Sequence, residues 1–275
     1  MRPRIGHIQF LHSLPLYYML VKNGVVLNID LCKDTPIELS RRLLKGKLDI
    51  SPVPAIEYAR NADRLLLLPD LSVGSNSRVT SIIIVSKVPL EELDGKSVAL
   101  TNTSRTSQVL TKIIFREKYG ITPRYFESPP DLPEMFREAE AALLIGDDAL
   151  RVQARPEKLF IYDLGAEWKA LTNEKMVYAV WAVRRDFARD YQDLVSKVYH
   201  AFQHSRNMIM EHIDEIARDI ARWEPFEASF LADYFKTLTF AFGRDCQRGL
   251  LRYYTMAYKI GEIERVPELA FVEIK

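Results

Sequence analysis

The sequence predicts an α/β protein of two lobes, each a mostly parallel sheet flanked by helices, with a ligand cleft between them. Three observations carry this expectation. Short apolar runs alternate with amphipathic, capped segments in two separate series, the pattern of parallel sheets covered by helices. The last third of the chain is almost wholly helical in pattern. Two long apolar runs, Val79–Val85 and Val177–Val183, stand where a chain would cross between lobes. The division expected is residues 1–84 with 183–275 in one lobe and 85–182 in the other. With 275 residues, 48% of them hydrophobic, there is ample material for a large core.

The first series opens with a buried strand over Arg4–Phe10, a loop from Leu11 to Pro15, and a helix from Leu16 to Val21 ended by Asn23-Gly24. A second strand follows at Leu27–Leu31. Thr35-Pro36-Ile37-Glu38 places a hydroxyl at N-cap, proline in the first turn and glutamate at the third helical position, a capping box. Leu39, Leu43 and Leu44 face the core of that helix, and Gly46 stops it. Leu48–Val53 is the third strand, Ile56–Asn61 a short helix, and Leu65–Leu68 and Val79–Val85 further strands around a polar loop, Ser75–Arg78.

The second series begins after Pro89–Gly95, a turn with a short helical piece. A strand over Ser97–Thr101 runs into Asn102–Ser107 and then a helix to about Tyr119 carrying Val109, Leu110, Ile113 and Ile114 on one face. Thr103 or Ser104 serves as N-cap. This helix start, with four hydroxyls and the Arg105 guanidinium, is either an ordinary capped end or a cradle for a carboxylate or phosphate. A strand at Arg124–Phe126, a helix capped by Asp131, and a very apolar strand at Ala141–Ile145 follow. Asp147, where that strand meets a helix, is an N-cap or a ligand contact. Strands at Phe160–Leu164 and Val177–Val183 precede helices at Tyr191–His212, Glu215–Trp223, Glu227–Phe235 and Gln247–Ile260, with Leu269–Ile274 as a closing strand.

Composition narrows the function. The net charge is +1 with charges interspersed, which favours neither nucleic acid nor a membrane surface. Cys32 and Cys246 stand far apart without metal-ligand spacing, and no run has the length of a signal-peptide core or a spanning helix, so a cytoplasmic protein is expected. Glycine-rich phosphate loops, serine elbows and zinc helices are absent from the sequence. His200 and His204 are four apart, a spacing that could ligate a metal, but on a charged helix they are read as solvent-exposed. His12, at a strand end beside Ser13, has the ordinary pKa range for proton transfer, or is structural. Because ligands of open α/β sheets lie beyond the carboxyl ends of strands, Leu11-His12-Ser13, Ser51–Val53, Thr101–Ser107 and Gly146-Asp147 are expected around one cleft equipped for a small dianionic acid.

Several stretches resemble, in order and over nearly the whole chain, the chorismate dehydratase family of the futalosine route to menaquinone. They are Arg4–Tyr18, Asp34–Pro36, Leu48–Val53, Asn61–Asp63, Leu68–Asp70, Val85–Leu90, Thr103–Ser107, Pro129–Asp131, Leu144–Asp147 and Tyr178–Ala182. The resemblance implies a periplasmic-binding-protein-like type II fold in a cytoplasmic enzyme. It implies loss of water from chorismate to give 3-[(1-carboxyvinyl)oxy]benzoate, without metal or organic cofactor and with a small-molecule substrate, chorismate or a similar dicarboxylate, as partner. By position, His12 and Ser81 correspond to residues at the reacting part of the ligand. Ser104, Arg105, Thr106 and Ser107 would hold a carboxylate, and Ser51 and Asp147 would line the cleft. A substrate carboxylate is an alternative base. The chain departs from the family at His12, where asparagine is usual, at Ser77-Arg78, where Gly-Pro is usual, and at Thr172–Met176. The alternative that these departures raise is a binding protein on the same scaffold that holds a chorismate-like acid without turning it over.

Overall fold

The computed structural model describes residues 2–22, 24, 28–154 and 158–275. The expected helix end at Asn23 and strand start at Leu27 lie outside the described residues.

Two sheets form the frame. The first holds β1 (Arg4–Ile8), β2 (Asp30–Asp34), β3 (Ile50–Pro54), β4 (Leu65–Ser75), β10 (Met176–Arg184) and β11 (Leu238–Thr239), in the order β11-β4-β10-β3-β1-β2. The second holds β5 (Ile82–Ser86), β6 (Ser97–Thr101), β7 (Arg124–Ser128), β8 (Ala141–Ile145) and β9 (Phe160–Asp163), in the order β7-β6-β8-β5-β9. Two lobes are therefore present, but their sheets are mixed rather than mostly parallel. β10 runs antiparallel to β3 and β4, and β5 antiparallel to β8 and β9. Each is the first strand after the chain changes lobe, so it enters its sheet from the opposite direction.

The pairing also moves the expected division. β10 was assigned from sequence to the second lobe, ending at 182, yet it is a central strand of the first sheet. Met176–Val183 are buried because neighbours flank both edges and helices cover both faces, which is why the run reads as continuously apolar. Residues 79–81 are loop, and β5 starts only at Ile82. The crossings are thus the segments 76–81 and 173–175. The Ser77-Arg78 departure and the middle of the Thr172–Met176 departure fall on them.

Helices follow their local signals closely. In α2 (Pro36–Leu44) Thr35 accepts the Glu38 N–H and Leu39 and Leu43 are fully buried. In α4 (Arg105–Ile114) the cap is Ser104, which accepts the Ser107 N–H. The C-terminal pattern differs in one respect. The segments expected at Tyr191–His212 and Glu215–Trp223 form a single helix, α9 (Gln192–Ile220), because Val195, Val198, Phe202, Ser205, Ile209, Ile213, Ile216 and Ile220 continue one buried stripe through the charged stretch. It packs on α1 (Leu14–Lys22) and α10 (Ala228–Thr237). The expected closing strand is reduced to a single bridge, Leu67 to Phe271.

The lobes meet through α4. The Ile56 N–H, in α3 (Ala55–Arg60), donates to the Thr106 hydroxyl at 3.2 Å, and the Tyr253 hydroxyl of α11 (Arg244–Lys259) donates to the Thr106 carbonyl at 3.1 Å. Trp168, in α7 (Leu164–Thr172), meets Tyr253 edge-on. Among the described residues, no helix is long and apolar enough to cross a membrane.

Candidate functional site

A cavity lies between the lobes, beyond the carboxyl ends of β1, β3 and β8. From the first lobe come Phe10, His12, Pro36, Pro54, Val73 and Tyr178. From the second lobe and the crossing that leads into it come Ser81, Ile145, Gly146, Ser104 and Ser107. Its volume of about 50 Å³ is far below the roughly 300–1,000 Å³ usual for ligand pockets. A larger cavity of about 400 Å³, between β1 and α9, contains none of the residues expected at the site.

Four of the eight residues expected from sequence share this cavity: His12, Ser81, Ser104 and Ser107. Ser104 Oγ and Ser107 Oγ lie 3.0 Å apart, both buried at the first turn of α4. Of their two hydroxyl protons one is used between them, which leaves one O–H to donate, beside the unpaired N–H groups of a helix start. His12 is partly buried and makes no hydrogen bond among the described residues. Burial, then the neighbouring His7, pulls its imidazole down to about 4, so at neutral pH it is uncharged with a free lone pair. His7 is itself pulled down to about 4 by burial and then by Lys33, stacks on Tyr17 at 3.8 Å, and has a buried Nε2 without a hydrogen-bond partner among the described residues.

The other four lie elsewhere. Arg105 points out of the cleft, its guanidinium donating to Glu127 of β7 and to Gln108. The Thr106 hydroxyl is occupied by the Ile56 N–H. Ser51 is fully buried between β1 and β3, donating to the Pro52 carbonyl. It fills the space that a Cβ on Gly6 would need, 2.0 Å from its Oγ. Asp147, at the start of α6 (Gly146–Ala154), makes no side-chain hydrogen bond to its own helix among the described residues. Its Oδ1 accepts the Leu11 N–H from the other lobe at 3.0 Å. Burial pushes this carboxyl up to about 6, the Leu11 N–H opposes the shift, and Glu224 adds to it.

Sequence reasoning missed three supports. Asp163 accepts from the N–H groups of Val79, Thr80, Gly165 and Ala166, so one carboxylate caps α7 and holds the loop that carries Ser81. Thr80 in that loop has φ +67, a left-handed conformation that the two Asp163 bonds beside it help to hold. Tyr178 shares a 3.0 Å hydrogen bond with Ser75. Because Ser75 donates to the Ser77 carbonyl, the phenol donates to Ser75 and its oxygen keeps lone pairs at the cavity. The Tyr234 hydroxyl is buried near Ser81 without a well-formed hydrogen bond. The Tyr-Asp-Leu-Gly run at 162–165 was the one signal available for Asp163, since Asp before a helix is a cap.

Two lobes closing on a cavity between strand ends define a periplasmic-binding-protein-like architecture. Solved structures agree. A protein of Archaeoglobus fulgidus matches with TM-score 0.77 at 20% identity, covering 95% of this chain and 98% of the other. An alkanesulfonate-binding protein of Xanthomonas axonopodis pv. citri, solved with MOPS, matches with TM-score 0.70 at 15% identity over 98% and 96%. The family model described as menaquinone biosynthesis matches residues 3–259, and the chain belongs to that family. A chorismate dehydratase of Thermus thermophilus is 34% identical over 68% of this chain and 72% of its own length. A 1,4-dihydroxy-6-naphthoate synthase of the same organism is 25% identical over 85% of each.

Proposed function

We propose that the protein is a chorismate dehydratase, converting chorismate to 3-[(1-carboxyvinyl)oxy]benzoate and water. The observation that carries the reading is the meeting of His12 and Ser81 in one cavity with the hydroxyl pair at the α4 N-terminus. Chorismate offers a ring carboxylate, an enolpyruvyl ether carbon with an acidic hydrogen, and a hydroxyl on the neighbouring carbon. The helix start and the Ser104–Ser107 hydroxyls suit the ring carboxylate, where positive partial charge stabilises the electron density that builds up as the hydrogen leaves. Neutral His12 takes that proton. The C–H electron pair becomes a ring double bond and the neighbouring C–O bond breaks; the departing hydroxyl takes the proton back from the His12 imidazolium and leaves as water, held by a hydrogen bond from Ser81, so His12 ends neutral. Tyr178 accepts a hydrogen bond from a substrate hydroxyl. Aromatisation drives the step, and placement supplies the rest.

At about 50 Å³ the cavity is too small for chorismate, so substrate entry requires the lobes to separate about the crossings at 76–81 and 173–175. A cytoplasmic location, where Cys32 and Cys246 stay reduced, belongs to the same reading. The test is direct: purified protein is mixed with chorismate, and aromatic product is followed by chromatography beside His12→Asn. Product from the parent is expected. Calorimetric binding of chorismate by the parent with no product would replace the enzyme by a binding protein. Product from His12→Asn at the parent's rate would remove His12 as the base.

A further inference from the structure

The first two residues of α6 hold the backbone at Ser81 and at the residue before His12. The Gly146 N–H donates to the Ser81 carbonyl at 2.7 Å, and Asp147 Oδ1 accepts the N–H of Leu11, the residue before His12, at 3.0 Å. Gly146 has φ +60 and lies so close to the Phe10 ring that a Cβ there would stand 2.9 Å from it. One turn of the second lobe thus holds the Ser81 loop and, across the cleft, the 10–13 turn. Asp147 itself is not part of the cavity wall. From this geometry we infer that Asp147 is a positioning residue, a latch between the lobes that sets His12 opposite Ser81 when the cleft closes. Its effect on turnover rests on the dehydratase reading; the latch itself does not.

Asp147 is the second residue of α6 and not the residue that precedes the helix, and its Oδ1 bond goes to a residue 136 positions away. A carboxylate acceptor makes the bond charge-assisted, so protonation weakens it. The groups facing Asp147 are Asp148 and Arg151 on α6, Glu224 in the segment after α9, and Tyr234 on α10. Of these, Glu224 and Asp148 favour protonation and Arg151 opposes it.

The experiment observes the Leu11 amide in ¹⁵N-leucine-labelled protein, with Asp147→Asn and Asp147→Ala beside the parent. In the parent the amide should be protected from exchange and should titrate with a midpoint near pH 6. Asp147→Asn, which keeps an acceptor, should abolish the titration and retain most of the protection. Asp147→Ala should lose the protection. With chorismate, Asp147→Ala should lower kcat about tenfold and move KM less than about threefold, with most of the kcat returned by Asp147→Asn. An amide that neither substitution moves overturns the latch, as does a loss confined to KM, which marks direct ligand contact. If Asp147→Ala does not fold, the titration in Asp147→Asn decides. A parent that shows the latch but no turnover would sink the dehydratase reading and leave the latch standing.

Discussion

Replacing Ser107 by alanine separates the two ways in which the α4 N-terminus can hold a carboxylate. Ser107 Oγ is 3.0 Å from Ser104 Oγ, and both hydroxyls line the cavity, whereas the Arg105 guanidinium is bound to Glu127 and Gln108 outside it. A hydrogen bond to a charged group contributes about 1.5–3 kcal/mol. Ser104 remains in Ser107→Ala and can turn its own proton toward the ligand, so the low end applies, about 1.5 kcal/mol or a tenfold rise in Kd. Ser107 is the better probe of the two, because Ser104 also caps the helix and its loss would cost about 1 kcal/mol of stability. Arg105→Ala breaks a half-exposed pair worth about 0–1 kcal/mol to the fold and should leave affinity within about twofold. The assay is calorimetric titration with 3-[(1-carboxyvinyl)oxy]benzoate, which does not react. A tenfold loss in Arg105→Ala with no change in Ser107→Ala would refute the placement of the anion on the hydroxyls.

Asp163→Ala removes the acceptor for four backbone N–H groups in two segments. It should lower stability by about 3 kcal/mol, seen as a lower urea midpoint, and in folded protein should lower kcat for chorismate because the Ser81 loop loses its anchor; an unchanged midpoint would contradict the shared-anchor role. Acid stability follows from the histidines. His7 and His12 titrate near 4 in the folded chain against 6.5 when free, so the native state binds fewer protons in that window, and their contribution is full above pH 6.5 and lost as pH falls toward 4. Asp147 has the opposite sign, gaining as pH falls from about 6 to 3.8, but two groups outweigh one. Thermal melting should therefore fall on acidification, and less steeply in His12→Asn; an identical slope in the two proteins would count against a buried, neutral His12.

Sequence by itself determined the local elements and the family. Thr35-Pro36-Ile37-Glu38 encodes its own cap, Ser104 sits ahead of an amphipathic stripe, and Ala141–Ile145 is too apolar to lie anywhere but in a sheet interior. These features depend on residues three or four apart, or on alternate ones, and so can be read along the chain. The fate of the polar groups between them cannot. Arg105, Thr106 and Ser107 are consecutive, yet one pairs with Glu127, one is taken by the Ile56 N–H, and one faces the cavity. A helix turns about 100° per residue, so neighbours point in different directions, and their partners come from β7, from α3 or from the cleft. Likewise Asp147 is a strong cap by composition and a bond to the opposite lobe in fact, because Leu11 arrives 136 residues earlier with an unpaired N–H. Burial then decides the chemistry: tertiary packing takes water from both histidines and from Asp147, and so sets which of them carry protons near neutral pH.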